Sequence, residues 1–271
     1  MEHFAVFGAP IAQSLSPLIH KAFAEQKDIA LSYEPIFTPP GQLAEAIEQF
    51  RKRGGQGANI TAPLKLEAYN LCKVHTPAAV YAKAVNTIYW QGSQLCGDNT
   101  DGEGLVRYMV QDLGLNLAQK RILILGAGGA ARGIIYPLLT YSLQQLVIVN
   151  RTFLKAQSIA SQDARLYAYT YEALDASHEA PFDIVINATS SSLQNELPPL
   201  AARWVQKTIA IDLAYLKNQA TLFLKWAKTH HAGATYDGIG MLVEQAALAF
   251  QRWHGVLPMT QPVIDMLRAK N

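Results

Sequence analysis

The chain has 271 residues, more than a typical single domain of about 150 residues, so two domains are expected. Hydrophobic residues make up 50% of the sequence and charged residues only 16%, which excludes a disordered chain and a coiled coil. The formal net charge is +2. This near balance excludes electrostatic capture of nucleic acid or of an anionic membrane surface.

The cysteines and the N-terminal residues indicate the compartment. Cys72 and Cys96 have no Cys-x-x-Cys spacing, so they predict neither a disulfide framework nor a metal site, and a reducing environment is expected. The first residues, Met1 to Phe4, have no basic segment before the apolar positions and read as the start of a strand. We therefore expect a cytoplasmic protein with no bound metal and no membrane segment.

Strand and helix patterns alternate along the chain. Segments rich in β-branched and aromatic residues, typical of strands, lie at 3–7, 31–37, 57–60, 86–90, 121–125, 146–149, 166–169, 183–187 and 208–212. Apolar residues recur at helical spacing in 17–26, 41–52, 102–112, 130–140, 153–161, 219–229 and 239–253. The alternation predicts an α/β fold with parallel, helix-covered sheets.

A domain boundary is expected near residue 101. Residues 98–102 open a helix that leads into the polar connection 114–120, just before the strongest predicted strand. Residues after Asp237 show only helical patterns with one apolar stripe, so they should pack back on the first domain. The predicted domains are therefore 1–101 completed by 238–271, and 102–237.

The segment 121–132, RILILGAGGAAR, carries the dinucleotide fingerprint Gly-x-Gly-x-x-Gly/Ala between a buried strand and a helix. Gly126 permits the tight turn, Gly128 lets the backbone approach a pyrophosphate, and Ala131 allows close helix packing. Amides at the start of the helix would bind the phosphates. A plain glycine-rich turn is the alternative interpretation.

The next predicted strand ends in Asn150-Arg151-Thr152, where an NAD enzyme would place an acidic residue. A guanidinium and a hydroxyl, with Lys155 one turn further on, suit a 2′-phosphate instead, so NADP is the predicted cofactor. The alternative is a solvated loop and helix face. A third strand ends in the segment 187–190, NATS, which should flank the nicotinamide, although Thr189 or Ser190 could equally cap the next element.

Further short motifs, in order along nearly the whole chain, resemble the shikimate dehydrogenase family. They are 8–20 (GAPIAQSLSPLIH), 59–65 (NITAPLK), 84–87 (AVNT), 99–102 (NTDG) and 238–247 (GIGMLVEQAA). The resemblance implies an N-terminal α/β substrate domain and a Rossmann-type NADP-binding domain with a cleft between them. It also implies reversible NADP-dependent reduction of 3-dehydroshikimate to shikimate, on the route to chorismate and the aromatic amino acids.

In this reading Lys65 and Asp101 form the catalytic acid–base pair. Reduction of a ketone builds negative charge on oxygen, which a lysine ammonium can stabilise and then protonate, and the neutral amine takes the proton in the reverse direction. An adjacent carboxylate favours the charged lysine and orients it. The alternatives are an exposed lysine on a new helix for Lys65 and an N-cap for Asp101.

The resemblance also assigns binding residues. The substrate-binding residues it implies are Ser14, Ser16, Thr61, Asn86, Tyr215 and Gln245. The cofactor-binding residues are Gly126, Ala127, Gly128, Gly129, Ala130, Asn150, Arg151, Thr152, Lys155, Thr189, Gly238 and Met241. Ser16 could instead be an N-cap before Pro17, and Gln245 could lie on the outer face of its helix.

Two departures from the family pattern stand out. Ser192 and Leu193 replace a glycine and a methionine that the family usually has in the loop beside the nicotinamide, and the proline often found after Tyr215 is absent. Neither change removes a reacting group. The expected ligands are shikimate or 3-dehydroshikimate and NADP, and the expected state is a monomer or a weak homodimer. Alternative functions are a quinate/shikimate dehydrogenase using NAD or NADP, and a non-catalytic sensor of nucleotide or shikimate.

Overall fold

The computed structural model describes residues 1–270, apart from the side chains of Leu193 and Lys270. The chain divides into two compact units, one formed by Met1–Tyr108 with Leu242–Lys270 and the other by Met109–Met241. Each unit contains one six-stranded sheet and several helices. The predicted α/β class is therefore confirmed.

The strands, in chain order, are β1 (Glu2–Gly8), β2 (Leu31–Phe37), β3 (Gly55–Ile60), β4 (Val74–His75), β5 (Thr87–Gln91), β6 (Gln94–Asp98), β7 (Arg121–Leu125), β8 (Gln145–Val149), β9 (Leu166–Tyr169), β10 (Ile184–Asn187), β11 (Ile209–Asp212) and β12 (Ala234–Tyr236). All nine predicted strands are present, and β4, β6 and β12 are additional.

The helices are α1 (Ser16–Gln26), α2 (Leu43–Lys52), α3 (Lys65–Leu71), α4 (Pro77–Ala82), α5 (Asp101–Arg107), α6 (Gly129–Leu139), α7 (Phe153–Ala160), α8 (Tyr171–Ala176), α9 (Leu222–Thr229), α10 (Ile239–His254) and α11 (Gln261–Lys270). A π-helical turn covers Tyr108–Asp112, and 3-10 turns cover Ser191–Gln194 and Ala202–Trp204. Within residues 1–270 no strand follows β12, as the sequence predicts.

The sheet of the first unit is mixed, in the order β2-β1-β3-β5-β6-β4. Strand β1 pairs in parallel with β2 and β3, whereas β5 runs antiparallel to both β3 and β6. The expectation of a wholly parallel sheet is therefore wrong here. The physical reason is the two-residue connection Gly92-Ser93, in which Gly92 has a positive φ of 61° and turns the chain into a hairpin.

Helix α10 packs closely against α5 in the first unit. A Cβ added to Gly104 would lie 2.6 Å from the backbone nitrogen of Gln245, so only glycine permits this approach. The Arg107 Nε–Glu244 Oε2 ion pair, 2.6 Å long, joins the same two helices. These contacts fix Gln245 beside the start of α5.

The sheet of the second unit is entirely parallel, in the order β12-β11-β10-β7-β8-β9. Its central strands β7, β8 and β10 are buried on both faces and made mainly of leucine, isoleucine and valine, as expected for a sheet covered by helices. The chain order reverses between β7 and β10, whose ends meet at the Leu125–Asn187 register pair. Ligands of such folds bind beyond the carboxyl ends of the strands at this reversal.

Candidate active site

Lys65 and Asp101 form an ion pair in the first unit. Each is the first residue of a helix, α3 and α5 respectively, and their Nζ and Oδ2 atoms are 2.5 Å apart. The lysine side chain is 28% exposed and the aspartate side chain 10% exposed. Lys65 is therefore not a solvated surface lysine, and partial burial strengthens the attraction between the two charges.

Asp101 does not cap its helix. Thr100 occupies the cap position, without a side-chain cap bond, and the Asp101 carboxylate turns towards Lys65 and Asn86. The capping interpretation of Asp101 is therefore wrong. Its position in the first turn places its negative charge near the positive end of the helix dipole.

Asn86, buried at the start of β5, holds the other oxygen of Asp101. Its Nδ2 donates to Asp101 Oδ1 at 2.8 Å, to Thr100 Oγ1 at 2.9 Å and to Gln245 Oε1 at 3.2 Å. Its Oδ1 accepts from the backbone nitrogen of Thr100 at 2.9 Å and from Thr87 Oγ1, also at 2.9 Å. The amide orientation is therefore fixed by partners on both of its ends.

Gln245 faces this cluster. Besides the contact with Asn86, its Nε2 donates to Leu242 O at 2.8 Å and its backbone oxygen accepts from Thr100 Oγ1 at 3.0 Å. The interpretation that places Gln245 on an outer, solvated helix face is therefore wrong. The structure thus brings four of the predicted site residues together in one cluster, which consists of Lys65, Asp101, Asn86 and Gln245.

A second polar layer, formed by Asn59, Tyr33 and His20, contacts Asn86 and was not predicted from the sequence. Asn59 Nδ2 donates to Asn86 O at 3.2 Å and to Thr87 Oγ1 at 3.1 Å. Asn59 Oδ1 accepts from Tyr33 Oη at 2.8 Å and contacts His20 Nε2 at 3.1 Å. Asn59 was visible in the sequence as a polar residue inside a buried strand, but its partners come from distant segments.

Burial keeps the two aromatic partners of Asn59 neutral. Burial lowers the pKa of His20 to about 3, an effect that the hydrogen bond to Asn59 only partly opposes. Burial also raises the pKa of Tyr33 well above its ordinary value, opposed in part by a hydrogen bond with Ser16. The layer is therefore an uncharged scaffold that is connected to the Lys65–Asp101 pair through Asn86.

Ser14, Ser16 and Thr61 follow the neighbouring strands β1 and β3. The backbone nitrogen of Ser16 donates to Ser14 Oγ at 3.3 Å. Leu15 occupies the cap position of α1 and Ser16 is its first residue, so the N-cap interpretation of Ser16 is wrong. A Cβ on Gly8 would lie 2.4 Å from the Thr61 methyl, which shows how tightly the ends of β1 and β3 approach each other.

In the second unit, the glycine turn after β7 has the form that a dinucleotide site requires. Gly126 has a φ of +103°, and a Cβ there would meet Thr189 Cγ2 at 3.0 Å and Ala188 O at 3.3 Å. Gly128 and Gly129 have no atom within 4 Å of the position of an added Cβ. Gly128, Gly129 and Ala130 are also exposed, so the backbone at the start of α6 is accessible, as a phosphate site requires.

The segment after β8 carries the predicted 2′-phosphate residues, the range 150–155. Asn150 Nδ2 donates to Thr152 O at 2.9 Å and shapes the turn into α7. Arg151, Thr152 and Lys155 are exposed, and neither cation forms a salt bridge with another described residue. A phosphate site and a solvated helix face share this exposure, so the assignment stays a prediction.

Asn187 shapes the loop after β10. Its Oδ1 accepts from Thr189 N at 3.2 Å and from Thr189 Oγ1 at 2.6 Å. Thr189 Oγ1 also accepts from Ser191 N at 3.3 Å and lies 2.6 Å from Ser191 Oγ. Ser190 occupies the cap position of the following 3-10 turn and makes no side-chain cap bond, so the capping interpretation is wrong for both Thr189 and Ser190.

Ser192, one of the departures from the family pattern, is buried and bonded. Its Oγ donates to Asp212 Oδ2 at 2.5 Å and accepts from Asn187 Nδ2 at 3.1 Å. Asp212 is completely buried, and burial raises the pKa of its carboxyl although four donors oppose the shift. The loop conformation is therefore defined by a network that the sequence did not reveal.

The remaining predicted residues of the second unit lie after β11 and β12. A Cβ on Gly238 would lie 2.1 Å from Leu213 O, so glycine is required for this backbone contact, and Gly238 N donates to Ala214 O at 3.2 Å. Tyr215 and Met241 are half-buried, and burial raises the pKa of the Tyr215 phenol.

Neither a metal cluster nor a membrane span is found in the part of the chain that the structure describes. No group of three or more histidine, cysteine or acidic side chains there could hold a metal ion. No helix there is both long and apolar enough to cross a bilayer. Cys72 and Cys96 are both free and buried.

Comparisons with known proteins identify the family. Three family models match: the shikimate dehydrogenase substrate binding domain over residues 6–88, shikimate/quinate 5-dehydrogenase over 108–218, and the shikimate 5′-dehydrogenase C-terminal domain over 238–267. A shikimate dehydrogenase (NADP(+)) of Nitrosospira multiformis is 47% identical over 271 residues, which cover 98% of this chain and 97% of that protein.

Solved structures give the same result. An Ael1 enzyme from Pseudomonas putida superposes with a TM-score of 0.93 at 41% identity, covering 98% of both chains. The shikimate 5-dehydrogenase of Thermus thermophilus, solved with NADP(H) and shikimate, superposes with a TM-score of 0.88 at 32% identity over all of both chains. The chain belongs to the shikimate dehydrogenase family.

Proposed function

We propose that this chain catalyses the reversible, NADP-dependent reduction of 3-dehydroshikimate to shikimate, with Lys65 and Asp101 as the acid–base pair. The observation that carries the proposal is the 2.5 Å contact between Lys65 Nζ and Asp101 Oδ2. Family membership and the full-length likeness to NADP-dependent shikimate dehydrogenases support the same activity.

The proton chemistry follows from the properties of a lysine ammonium. Bound NADPH supplies the hydride that reduces the C3 carbonyl carbon. As negative charge develops on the carbonyl oxygen, the Lys65 ammonium stabilises it and then transfers a proton to it, leaving a neutral amine. In shikimate oxidation the neutral Lys65 amine takes the hydroxyl proton, so the lysine returns to its charged form.

Asp101 and Asn86 orient the lysine for this step. Asn86 holds Asp101 Oδ1, and so Asp101 Oδ2 is directed at the Lys65 ammonium. The carboxylate attracts the ammonium electrostatically and so fixes its direction.

The substrate would be recognised by Asp101 of this pair and by neutral polar groups around it. Ser14 and Ser16 would donate to the shikimate carboxylate. The ring hydroxyls would bind the remaining polar groups of the proposed site, which are Thr61, Asn86, Asp101, Tyr215 and Gln245. Because these groups would be left unpaired by an analogue that lacks a ring hydroxyl, such an analogue should be strongly rejected.

The second unit would bind NADP. The open turn, Gly126 to Ala130, suits the pyrophosphate, and the absence of an acidic residue in Asn150-Arg151-Thr152 suits a 2′-phosphate. Lys155 would add a second cation. Thr189, Gly238 and Met241 would line the nicotinamide end of the site.

The remaining assignments belong to the same proposal. Residues 1–101 with 238–271 would form the substrate-binding and catalytic domain, and 102–237 the NADP-binding domain. The enzyme would work in the cytoplasm, as a monomer or weak homodimer that binds no nucleic acid and no membrane.

Four assays test the proposed function. Purified protein is incubated with shikimate or quinate and with NADP or NAD, and formation of the reduced nucleotide is followed by absorbance. Turnover should be fastest with shikimate and NADP. A preference for quinate with NAD would favour a quinate dehydrogenase, an alternative raised by the shikimate/quinate model that matches residues 108–218. Binding of both ligands without turnover would instead identify a sensor.

A further inference from the structure

Asp212, the last residue of β11, is a completely buried carboxylate, and among the described residues the groups that donate to it are all neutral. Ser192 Oγ and Thr221 Oγ1 donate to Oδ2 at 2.5 and 2.6 Å. Asn187 Nδ2 and Ala214 N donate to Oδ1 at 3.2 and 3.1 Å. A buried carboxylate without a cation is costly even when it is fully hydrogen-bonded, so its position in this fold needs a reason.

The four donors come from three separate segments. Asn187 and Ser192 belong to the end of β10 and the loop after it, and Ala214 belongs to the segment after β11. Thr221 is the N-cap residue of α9, where its hydroxyl also accepts from Leu224 N at 3.3 Å. Asp212 therefore ties two strand ends and one helix start together at the carboxyl edge of the parallel sheet.

These segments also carry the residues proposed to face the nicotinamide. Asn187, which donates to Asp212, accepts both bonds from Thr189 described above. Ala214, whose nitrogen donates to Asp212, also accepts the hydrogen bond from Gly238 at its backbone oxygen. The network therefore reaches Thr189 and Gly238 through one intervening residue each, and it is anchored wholly within the second unit.

We propose that Asp212 and Ser192 are positioning residues for the nicotinamide end of the NADP site. Neither needs to touch the cofactor: Ser192 closes the loop 187–192 onto Asp212, and Asp212 holds that loop against the segment after β11. This inference rests on the proposed function. It adds that this buried carboxylate sets the orientation of the nicotinamide and not the binding of the adenosine phosphates.

The test is Ser192→Ala, compared with wild type by binding and by kinetics. Affinities are measured by calorimetry for NADP and for 2′,5′-ADP, which carries the adenosine 2′-phosphate but no nicotinamide. We expect the Kd for NADP to rise and kcat to fall by roughly tenfold, because small misplacements of reacting groups slow catalysis strongly. The Kd for 2′,5′-ADP and the KM for shikimate should stay within about twofold, since the variant leaves those contacts in place.

Thr221 provides a second variant and a rescue. Thr221→Val removes the other hydroxyl donor to Asp212 Oδ2 and should reproduce the NADP-specific loss, whereas Thr221→Ser keeps the hydroxyl and should behave like wild type. If Ser192→Ala does not fold, the Thr221 pair decides the matter. Ser161→Ala is the matched control, because Ser161 is an exposed serine at the end of α7.

The results separate the two proposals. A wild-type protein that forms no NADPH from shikimate contradicts the proposed function, whatever the variants do. An active wild type whose variants lose thermal stability but keep their NADP affinity and kcat contradicts the positioning role. Equal losses of affinity for NADP and 2′,5′-ADP would also contradict it, because the defect would then not be specific to the nicotinamide end.

Discussion

The two units of this chain each hold a buried aspartate at the centre of a hydrogen-bond network, and the two networks differ in the charge of the partners and in exposure. Asp101 has a cation as its partner and keeps part of its surface open, whereas Asp212 is enclosed by four neutral donors. Asp101 can take part in proton transfer because its partner, the Lys65 ammonium, carries a proton that can be transferred. Asp212 is enclosed by hydroxyl and amide groups, so its role is to hold structure in place.

The sheets show a related difference. The second unit has a wholly parallel sheet with a single reversal of strand order, which creates a binding edge by topology alone. The first unit has a mixed sheet. Asn86 lies just before β5 and Asp101 shortly after β6, so the hairpin of these two strands brings both residues to the same edge. Strand order therefore shapes the proposed nucleotide site, whereas pairing between side chains shapes the proposed catalytic site.

The largest expected effect comes from removing the cation of the first network. Lys65→Ala should lower kcat by about 10³-fold, within the range for loss of a general acid–base group. The Kd for shikimate, measured by calorimetry, should change little because other groups bind the ring. Lys73→Ala, a nearby exposed lysine just after α3, is the control and should keep full activity. Unchanged turnover of Lys65→Ala would remove its assigned role.

In the second unit the largest expected effect concerns cofactor choice. Arg151→Ala should reduce the preference for NADP over NAD by about 10²-fold, because a guanidinium–phosphate interaction is charge-assisted and bidentate. The measurement is kcat/KM with each cofactor. NAD serves as the internal control, since it has no 2′-phosphate and its kcat/KM should not fall. Equal losses with both cofactors would show that Arg151 does not read the 2′-phosphate.

The uncharged scaffold of Asn59, Tyr33 and His20 gives a prediction about how stability depends on pH. The pKa of His20 is lowered to about 3 in the folded protein, against an ordinary value near 6.5, so the folded state favours the neutral ring. The resulting stability is fully present above pH 6.5 and is lost as the pH falls towards 3. Between pH 7.5 and pH 5 the free energy of unfolding should fall by about 2 kcal/mol from this group.

Denaturant titrations of wild type and His20→Gln across this pH range measure the effect. The variant should lack this part of the pH dependence even if it is less stable overall. His178→Gln, a change at an exposed histidine, is the control and should keep the wild-type slope. An unaltered slope in His20→Gln would show that His20 does not titrate between the folded and unfolded states.

The smallest expected effect is at the glycine turn. Gly126→Ala should weaken NADP binding by about tenfold, because its Cβ would press on Thr189 and Ala188 and its φ is unfavourable for alanine. Gly114→Ala is the matched control. Gly114 also has a positive φ, of +65°, but open space around the added Cβ. A similar loss of NADP affinity in both variants would mean that backbone strain alone explains the effect.

The parts of the molecule that follow from local sequence were predictable. The strand, glycine turn and helix around Gly126 are contiguous, so their pattern gives both the fold and the ligand class. The hairpin of β5 and β6 was not predicted, although Gly92-Ser93 follows a strand-like run and is a recognisable turn signal. Its second strand, containing Cys96 and Gly97, carries little of the β-branched signal that marks the others.

The polar networks were not predictable for a different reason. Asn86 meets Gln245 across 159 positions of sequence, and Ser192 meets Asp212 across 20. Whether a buried polar side chain finds a partner depends on tertiary contacts that no local pattern encodes. The role of Ser192 therefore depends on Asp212, a partner that the sequence around Ser192 does not reveal.

The central claim is that Lys65 and Asp101 act as one unit, and a double-mutant cycle tests it most directly. The kcat for shikimate oxidation with NADP is measured for wild type, Lys65→Ala, Asp101→Asn and the double variant. Residues that act together lose non-additively, so the double variant should be no slower than the slower single variant, within about threefold. A double variant whose loss equals the product of both single losses would contradict the pair.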